Sequence, residues 1–274
     1  MPAQSARFAV IGRPIAHSRS PEIHAMFAEQ AGIDLTYERI EAQADGFADC
    51  VHHLRARGFR GVNVTLPFKE DALRVASNAT PRALRAGAAN TLTIDGQRIE
   101  ADNTDGAGLL RDLAENLGKT IAGCHILLLG AGGAARGVLQ PLLDANPAGV
   151  VIANRTQERA MALAALGDAR VHAMPIGQAG ERAFDLIINA TSASLQGSAL
   201  PVPAACFHGK SLAYDMMYGA QPTGFMRQAA ARGVRVADGL GMLVEQAAEA
   251  FFGWHGVRPA TAPVILALRR ALTA

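Results

Sequence analysis

Residues 125–137 read HILLLGAGGAARG: an apolar run of strand length, the turn Gly130-x-Gly132-x-x-Ala135, and then a helix-forming segment. That order, strand, tight turn, helix, is the opening βα unit of a dinucleotide-binding domain. The glycines permit the turn and let backbone N–H groups approach a pyrophosphate, which would sit at the positive end of the helix dipole. A glycine-rich βα turn without a ligand would carry the same strand and helix. The stretch therefore decides the fold before it decides the function.

Working outward, the pattern repeats in both directions. Toward the C-terminus the strands are GVVIAN, DLIINAT, SLAYDMM and VRVAD, with a Pro/Ser-rich loop between the second and third of these. Toward the N-terminus, FAVIG (8–12), LTYERIEA and GVNVTLP alternate with helical segments. SPEIHAMFAEQAG opens on Ser20 as N-cap with Pro21 at the first helical position and closes on Gly32, and DGFADCVHHLRARG ends on Gly58. A further helix is expected from about Lys69, and NTLTI and RIEA pair around the Asp95-Gly96 turn. The alternation restarts at about residue 106 with GAGLLRDLAENLG, and the last 35 residues return to helix. This predicts an α/β protein of two domains with mostly parallel sheets, divided as 1–105, 106–238 and a helical 239–274 that returns to the first domain.

Composition narrows the partners. The chain has 274 residues, half of them apolar, and a net charge of +2 with Lys and Arg scattered, which points away from nucleic acid and membrane surfaces. Cys50, Cys124 and Cys206 are far apart and form no Cys-x-x-Cys pair, so they read as buried thiols in a reducing cytoplasm. No leader segment and no apolar run near membrane-spanning length is visible. The eight histidines show no metal spacing, His52-His53 lies off its helix's apolar face, and no metal is expected. Phe251, Phe252 and Trp254 read as packing.

Which dinucleotide binds is set after the second strand of the nucleotide domain. An NAD site expects an acid there for the ribose 2′-hydroxyl. Here VVIANRTQER gives Asn154, Arg155 and Thr156, with Arg159 one turn on. A guanidinium offers a 2′-phosphate a charge-assisted hydrogen bond of ~1.5–3 kcal/mol, so NADP is favoured.

The first domain carries its own constellation. In GVNVTLPFK (61–69), Val62, Val64 and Leu66 alternate with Asn63 and Thr65, the period of a strand with one apolar face, and Lys69 follows Pro67. A lysine in a helix's first turn opposes the macrodipole, a mild cost unless the ammonium is used. Ser18 and Ser20 in HSRSP, Asn90 in ANTL and Asp105 in NTDG also fall where α/β sheets place ligand groups. Lys69 and Asp105 are the groups here that can move or hold a proton when an alcohol is oxidised or a carbonyl reduced.

Taken in order, HSRSP, NVTLPFK, ANTL, NTDG, GAGGAARG, NRT, DMMYGAQPT and GLGMLVEQAAEAF resemble the shikimate dehydrogenase family over nearly the whole chain. The resemblance implies NADP-linked reduction of 3-dehydroshikimate to shikimate, in aromatic amino-acid biosynthesis. It implies a substrate domain, a Rossmann-type NADP domain and an active site in the cleft between them. Residue by residue, Ser18 and Ser20 match the pair that binds the shikimate carboxylate. Thr65, Asn90 and Asp105, with Asn63 beside them, match the groups that hold the ring hydroxyls, and Lys69 matches the catalytic acid/base. Gly130, Ala131, Gly132, Gly133 and Ala134 match the pyrophosphate turn, and Asn154, Arg155, Thr156 and Arg159 the 2′-phosphate grip. Thr191, Met216 and Gly239 match nicotinamide-side contacts, while Tyr218 and Gln246 match substrate contacts. One departure is Ser194, which stands at a glycine position of the family's Asn-Ala-Thr-x-x-Gly. The alternatives are a quinate/shikimate dehydrogenase with relaxed substrate or NAD use, which Asn154-Arg155 argues against, and a non-catalytic NADP sensor, which need not keep Lys69 and Asp105. A homodimer is compatible with the sequence.

Overall fold

The computed structural model describes residues 5–191 and 200–273, so Ser194 lies outside the described residues. The chain divides into two compact units, Met1–Gly108 with Val244–Val264, and Leu109–Leu243 with Ile265–Ala274.

The first unit is built on β1 (Ala6–Gly12), β2 (Leu35–Glu41), β3 (Phe59–Val64), β4 (Asn78–Ala79), β5 (Thr91–Asp95) and β6 (Arg98–Asp102). Its helices are α1 (Ser20–Ala31), α2 (Phe47–Ala56), α3 (Lys69–Val75) and α4 (Pro81–Ala86). The sheet order is β2-β1-β3-β5-β6-β4. β1 pairs in parallel with both β2 and β3, whereas β5 runs antiparallel to β3 and β6, the latter around the Asp95-Gly96 turn. Ala9, Ile11, Val62, Val64 and Leu92 supply the sheet's part of one core, into which α2 delivers Phe47, Val51 and Leu54. Phe68, between β3 and α3, stacks on Phe47 with ring centroids 5.1 Å apart.

Four expectations fail locally here. Ser20 is the first residue of α1 rather than its cap: Arg19 takes the cap position, no side chain caps the helix, and the Ser18 hydroxyl instead accepts from the Ser20 N–H at 3.3 Å. The apolar alternation of β3 does not continue to Leu66, which is 52% exposed. The strand stops at Val64, the chain turns through Phe68 N–H to Thr65 O at 3.1 Å, and Phe68 rather than Leu66 returns to the core. Cys50 is half-buried rather than buried, and Phe252 is largely exposed beneath the Arg258 guanidinium.

α5 (Asp105–Arg111) leads into the second unit and opens into a π-turn over Asp112–Asn116. The second unit contains β7 (His125–Leu129), α6 (Gly133–Asp144), β8 (Gly149–Asn154), α7 (Gln157–Ala164), β9 (Val171–Pro175), β10 (Leu186–Asn189), β11 (Leu212–Asp215), α8 (Gly224–Ala230) and β12 (Arg235–Asp238). All its strand pairs are parallel, in the order β12-β11-β10-β7-β8-β9. Read from the far edge this is 3-2-1-4-5-6, the doubly wound nucleotide-binding order, with its switch point between β7 and β10. The strands are buried on both faces, which is why HILLL and GVVIA read as continuous apolar runs. Two helices close the chain: α9 (Leu240–His255) begins in the second unit and ends in the first, and α10 (Ala262–Thr273) begins in the first and ends in the second. Among the described residues, no helix is long and apolar enough to cross a membrane.

Candidate active site

In the first unit, one hydrogen-bonded group gathers most of the residues anticipated there. Lys69 opens α3 and Asp105 opens α5; the Lys69 ammonium donates to Asp105 Oδ2 at 2.5 Å, with both side chains mostly buried. The other carboxylate oxygen accepts from Asn90 Nδ2 at 2.8 Å. Asn90 is itself fixed from both ends of its amide. Its oxygen accepts from the Thr104 N–H at 2.8 Å and the Thr91 hydroxyl at 3.0 Å, and its Nδ2 reaches Thr104 Oγ1 at 2.9 Å and Gln246 Oε1, on α9, at 3.2 Å. A carboxylate so held has one oxygen for the ammonium and one for the amide, which fixes the lysine's tip without a second charge. The turn that presents Asp105 is held by Asn103, whose Oδ1 accepts from the Asp105 N–H at 3.2 Å while its Nδ2 donates to Ala88 O at 2.9 Å. The Lys69 carbonyl in turn accepts from the Ala89 N–H at 2.8 Å, tying α3 to the segment that carries Asn90.

Asn63 joins this group from β3. It is buried, donates to Thr91 Oγ1 at 3.1 Å and accepts from the Tyr37 hydroxyl at 2.6 Å, so its amide is fully engaged. It reaches the Lys69–Asp105 pair only through Thr91 and Asn90. Thr65 stands just past the strand end, its methyl packed over Gly12. Ser18 and Ser20 share a hydroxyl-to-hydroxyl contact of 3.2 Å, and Arg39 holds their loop by donating from Nε to Ser18 O at 2.7 Å. Neither serine caps a backbone group deeper in α1, and Ser20 is buried while Ser18 is partly exposed at the helix mouth.

Below this surface lies a layer the sequence reading passed over. His24, on α1, is fully buried, stacks on Tyr37 with centroids 4.4 Å apart, and lies 5.4 Å from the ring of Trp254. Among the described residues both its ring nitrogens lack a hydrogen-bond partner, and Asn63 faces the ring without reaching bonding geometry. Burial pushes its pKa down to about 3; Asn63 opposes this and His255 adds to it. Tyr37, Thr91, Asn103 and Thr104 are the site's supporting polar residues. Thr91, Asn103 and Thr104 had a sequence signal, through their places in ANTL and NTDG; Tyr37 had none.

In the second unit the anticipated nucleotide residues surround the switch point. Gly130 has φ +108°, a conformation that side chains disfavour, and a Cβ there would lie 3.0 Å from Thr191 Cγ2 and 3.3 Å from the Ala190 backbone. The turn after β7 and the turn after β10 are thus in contact, which places Ala131 to Ala134 and Thr191 together. Gly132 caps α6, no side chain occupies that cap, and open space lies where its Cβ would be. At the end of β8, Asn154 donates to Thr156 O at 2.9 Å, while Arg155 and Arg159 are exposed and have no partner among the described residues. These two guanidiniums, beside a glycine turn that opens a helix, are a donor set that fits a phosphorylated dinucleotide. Thr191 is oriented by Asn189, whose Oδ1 accepts both its N–H, at 3.0 Å, and its hydroxyl, at 2.7 Å. Asn189 is anchored to buried Asp215 at 3.1 Å, and Asp215 also takes the Thr223 hydroxyl at 2.6 Å. Met216 and Gly239 are in contact, since a Cβ on Gly239 would collide with the Met216 carbonyl. Tyr218 is half-buried on the same stretch, two residues beyond Met216.

Three family models match the chain. Residues 10–92 match the shikimate dehydrogenase substrate binding domain, 112–196 the shikimate / quinate 5-dehydrogenase model, and 239–269 the shikimate 5′-dehydrogenase C-terminal domain. The chain is 54% identical to the shikimate dehydrogenase (NADP(+)) of Methylobacillus flagellatus, across 97% of this chain and 99% of that one. It is 54% identical to the enzyme of the same name from Dechloromonas aromatica, across 97% and 98%. The crystal structure of shikimate 5-dehydrogenase from Thermus thermophilus in complex with NADP(H) and shikimate superimposes with a TM-score of 0.88 at 40% identity, covering 97% of this chain and all of that one.

Proposed function

The chain belongs to the shikimate dehydrogenase family, and on that premise we propose that Lys69 is the acid–base group of its NADP-linked interconversion of 3-dehydroshikimate and shikimate, with Asp105 as its partner. The cofactor is NADP, which when bound supplies or receives the hydride at the carbinol carbon. The chain's own residues handle the proton. In the reducing direction Lys69 Nζ donates to the oxygen that becomes the hydroxyl; in the oxidising direction it accepts that proton. Asp105 holds the ammonium at 2.5 Å and accepts from the same hydroxyl, and Asn90 keeps the carboxylate oriented. Ser18 and Ser20 donate to the substrate carboxylate, and Thr65, Asn90, Tyr218 and Gln246 bind the ring's remaining polar groups. Asn63 acts from behind, by fixing Thr91 and Asn90.

On the cofactor, the turn from Gly130 to Ala134 receives the pyrophosphate, with the N–H groups from Ala131 onward as donors, Asn154, Arg155, Thr156 and Arg159 the adenosine ribose and its 2′-phosphate, and Thr191, Met216 and Gly239 the nicotinamide side. The three cysteines, none in a disulfide, suit a reducing cytoplasm, and we place the enzyme there. Its partner is the small-molecule substrate; neither nucleic acid nor membrane is required, and a homodimer is compatible with the reaction.

The observation that carries this reading is the Lys69–Asp105 contact with its Asn90 support. Lys69→Ala should lower kcat by at least ~10²-fold while KM for shikimate changes much less, because a proton-transfer role is spent in the transition state. A near-wild-type kcat in a folded variant would remove Lys69 from the mechanism.

A further inference from the structure

Asp112 is a buried carboxylate that the reaction as described does not use. It sits at the start of the π-turn that follows α5, a local widening of the helix closed by Leu117 N–H to Asp112 O at 3.0 Å. Three donors from different parts of the second unit converge on its side chain. The Tyr214 hydroxyl, from β11, donates to Oδ2 at 2.6 Å; Asn116 Nδ2 donates to Oδ1 at 3.0 Å; and the backbone N–H of Met242, in the first turn of α9, is the third. An acceptor-only group is what such a convergence demands, and burial nonetheless pushes the Asp112 pKa up. The fit is close. A Cβ on Gly241 would collide with Asp112 Oδ1, so the carboxylate occupies the space that a side chain at 241 would need.

The segment Asp238 to Met242 is thereby gripped at both ends. Asp238 is held by Arg269 at 2.5 and 2.7 Å and accepts from the Leu240 N–H at 3.3 Å, while Asp112 holds Met242. Between the two grips lies Gly239, whose N–H donates to Met217 O at 3.1 Å and whose Cα faces the Met216 carbonyl at a distance no side chain would allow. We propose that Asp112 is a positioning residue for hydride transfer: by fixing the first turn of α9 it sets the Gly239 backbone against Met216, and so shapes the surface that receives the nicotinamide. This rests on the assignment of Met216 and Gly239 to the nicotinamide side. Reacting atoms must approach to ~3–3.5 Å, and a misplacement of about 1 Å can cost ~10²-fold. A displaced shelf would therefore slow the chemical step without weakening shikimate binding.

The test uses Asp112→Asn, which keeps the volume but turns one acceptor into a donor facing donors, and Tyr214→Phe, which removes a single hydroxyl and leaves the ring's packing in place. Steady-state kinetics are measured with NADPH and with NADPH deuterated at the transferred position. Asp112→Asn should lower kcat at least ~10-fold, Tyr214→Phe less, with KM for 3-dehydroshikimate within about twofold and a larger primary isotope effect, as hydride transfer becomes the slower step. A lowered melting temperature with kcat and the isotope effect intact would make Asp112 a purely structural cap and overturn the proposal; if Asp112→Asn does not fold, Tyr214→Phe decides alone. Gly239→Ala separates the two readings. If it slows the enzyme and the Asp112 and Tyr214 variants do not, only this proposal fails; if it leaves both readouts unchanged, the nicotinamide-side assignment fails and takes the proposal with it.

Discussion

Acidification should unfold the first unit through His24, and the size of the effect follows from its burial. In the folded chain the ring is fully buried, is stacked on Tyr37 and has no hydrogen-bond partner among the described residues; its pKa is pushed down to about 3 against 6.5 for a free histidine. Between those values the unfolded chain binds a proton that the folded chain refuses, so stability rises with pH across the window and falls as the solution is acidified from 6.5 toward 3. Above pH 6.5 the contribution is flat. At pH 5 the loss amounts to about 2 kcal/mol, and at pH 4 to about 3 kcal/mol, a large share of a typical domain's stability. His255 shares the direction, because burial lowers its pKa too and it faces the same ring, so the wild-type slope contains both histidines as well as the carboxylates.

The comparison that isolates His24 is therefore between wild type and His24→Phe, which keeps a flat ring against Tyr37. The chain's single tryptophan, Trp254, lies 5.4 Å from His24 in the same cluster, so its fluorescence in urea titrations reports the unfolding of the unit concerned. Measured from pH 7.5 to 5, the wild type should lose about 2 kcal/mol more than the variant, nearly all of it below pH 6.5. Parallel losses in the two proteins would show that His24 stays neutral in both folded and unfolded chains or is solvated when folded, and either refutes the reasoning.

Arg155→Glu should reverse cofactor choice: without the guanidinium and with a carboxylate near the 2′-phosphate, kcat/KM for NADP should fall by about tenfold to a hundredfold while NAD is spared, as measured by initial rates with each. Arg82 bridges Asp102 at 2.6 Å and Glu249 at 2.9 Å, linking the residue before NTDG to α9, so Arg82→Met should leave two carboxylates without their shared cation. The arginine is partly solvated, and the expected loss is ~1–3 kcal/mol in urea denaturation read by Trp254, which an unchanged midpoint would contradict.

What the sequence reveals of this protein divides along the range of the interactions. The nucleotide half's sheet is legible because parallel strands buried on both faces are plain apolar runs, and because a turn that needs φ +108° at Gly130 leaves a glycine signature. β9 escapes notice for the same reason: as an edge strand, VHAMP is only partly buried and has no such run. The alternation in GVNVTLPFK overshoots by two residues, since periodicity marks which side chains alternate but not where the hydrogen-bond ladder ends. Ser20 is misplaced by one position, because a cap and a first helical residue differ only in which N–H the hydroxyl meets. The motif residues Lys69 and Asp105 were legible as short contiguous patterns, although 36 positions separate them.

The tyrosines that support the polar network have no local pattern at all. The Tyr214 hydroxyl meets Asp112 across 102 positions, Tyr37 meets Asn63 across 26, and nothing about a tyrosine in an apolar strand announces its partner. Hydrogen-bond complementarity has no period. It follows that a sequence keeping NVTLPFK, NTDG and GAGGAARG while losing Tyr214 or Tyr37 would read the same as this one. The geometry here leaves such a chain with Asp112 or Asn63 short of a hydrogen-bond donor. Intact motifs thus mark candidate positions, while the hydrogen bonds that hold those positions come from residues that only the folded chain brings to them.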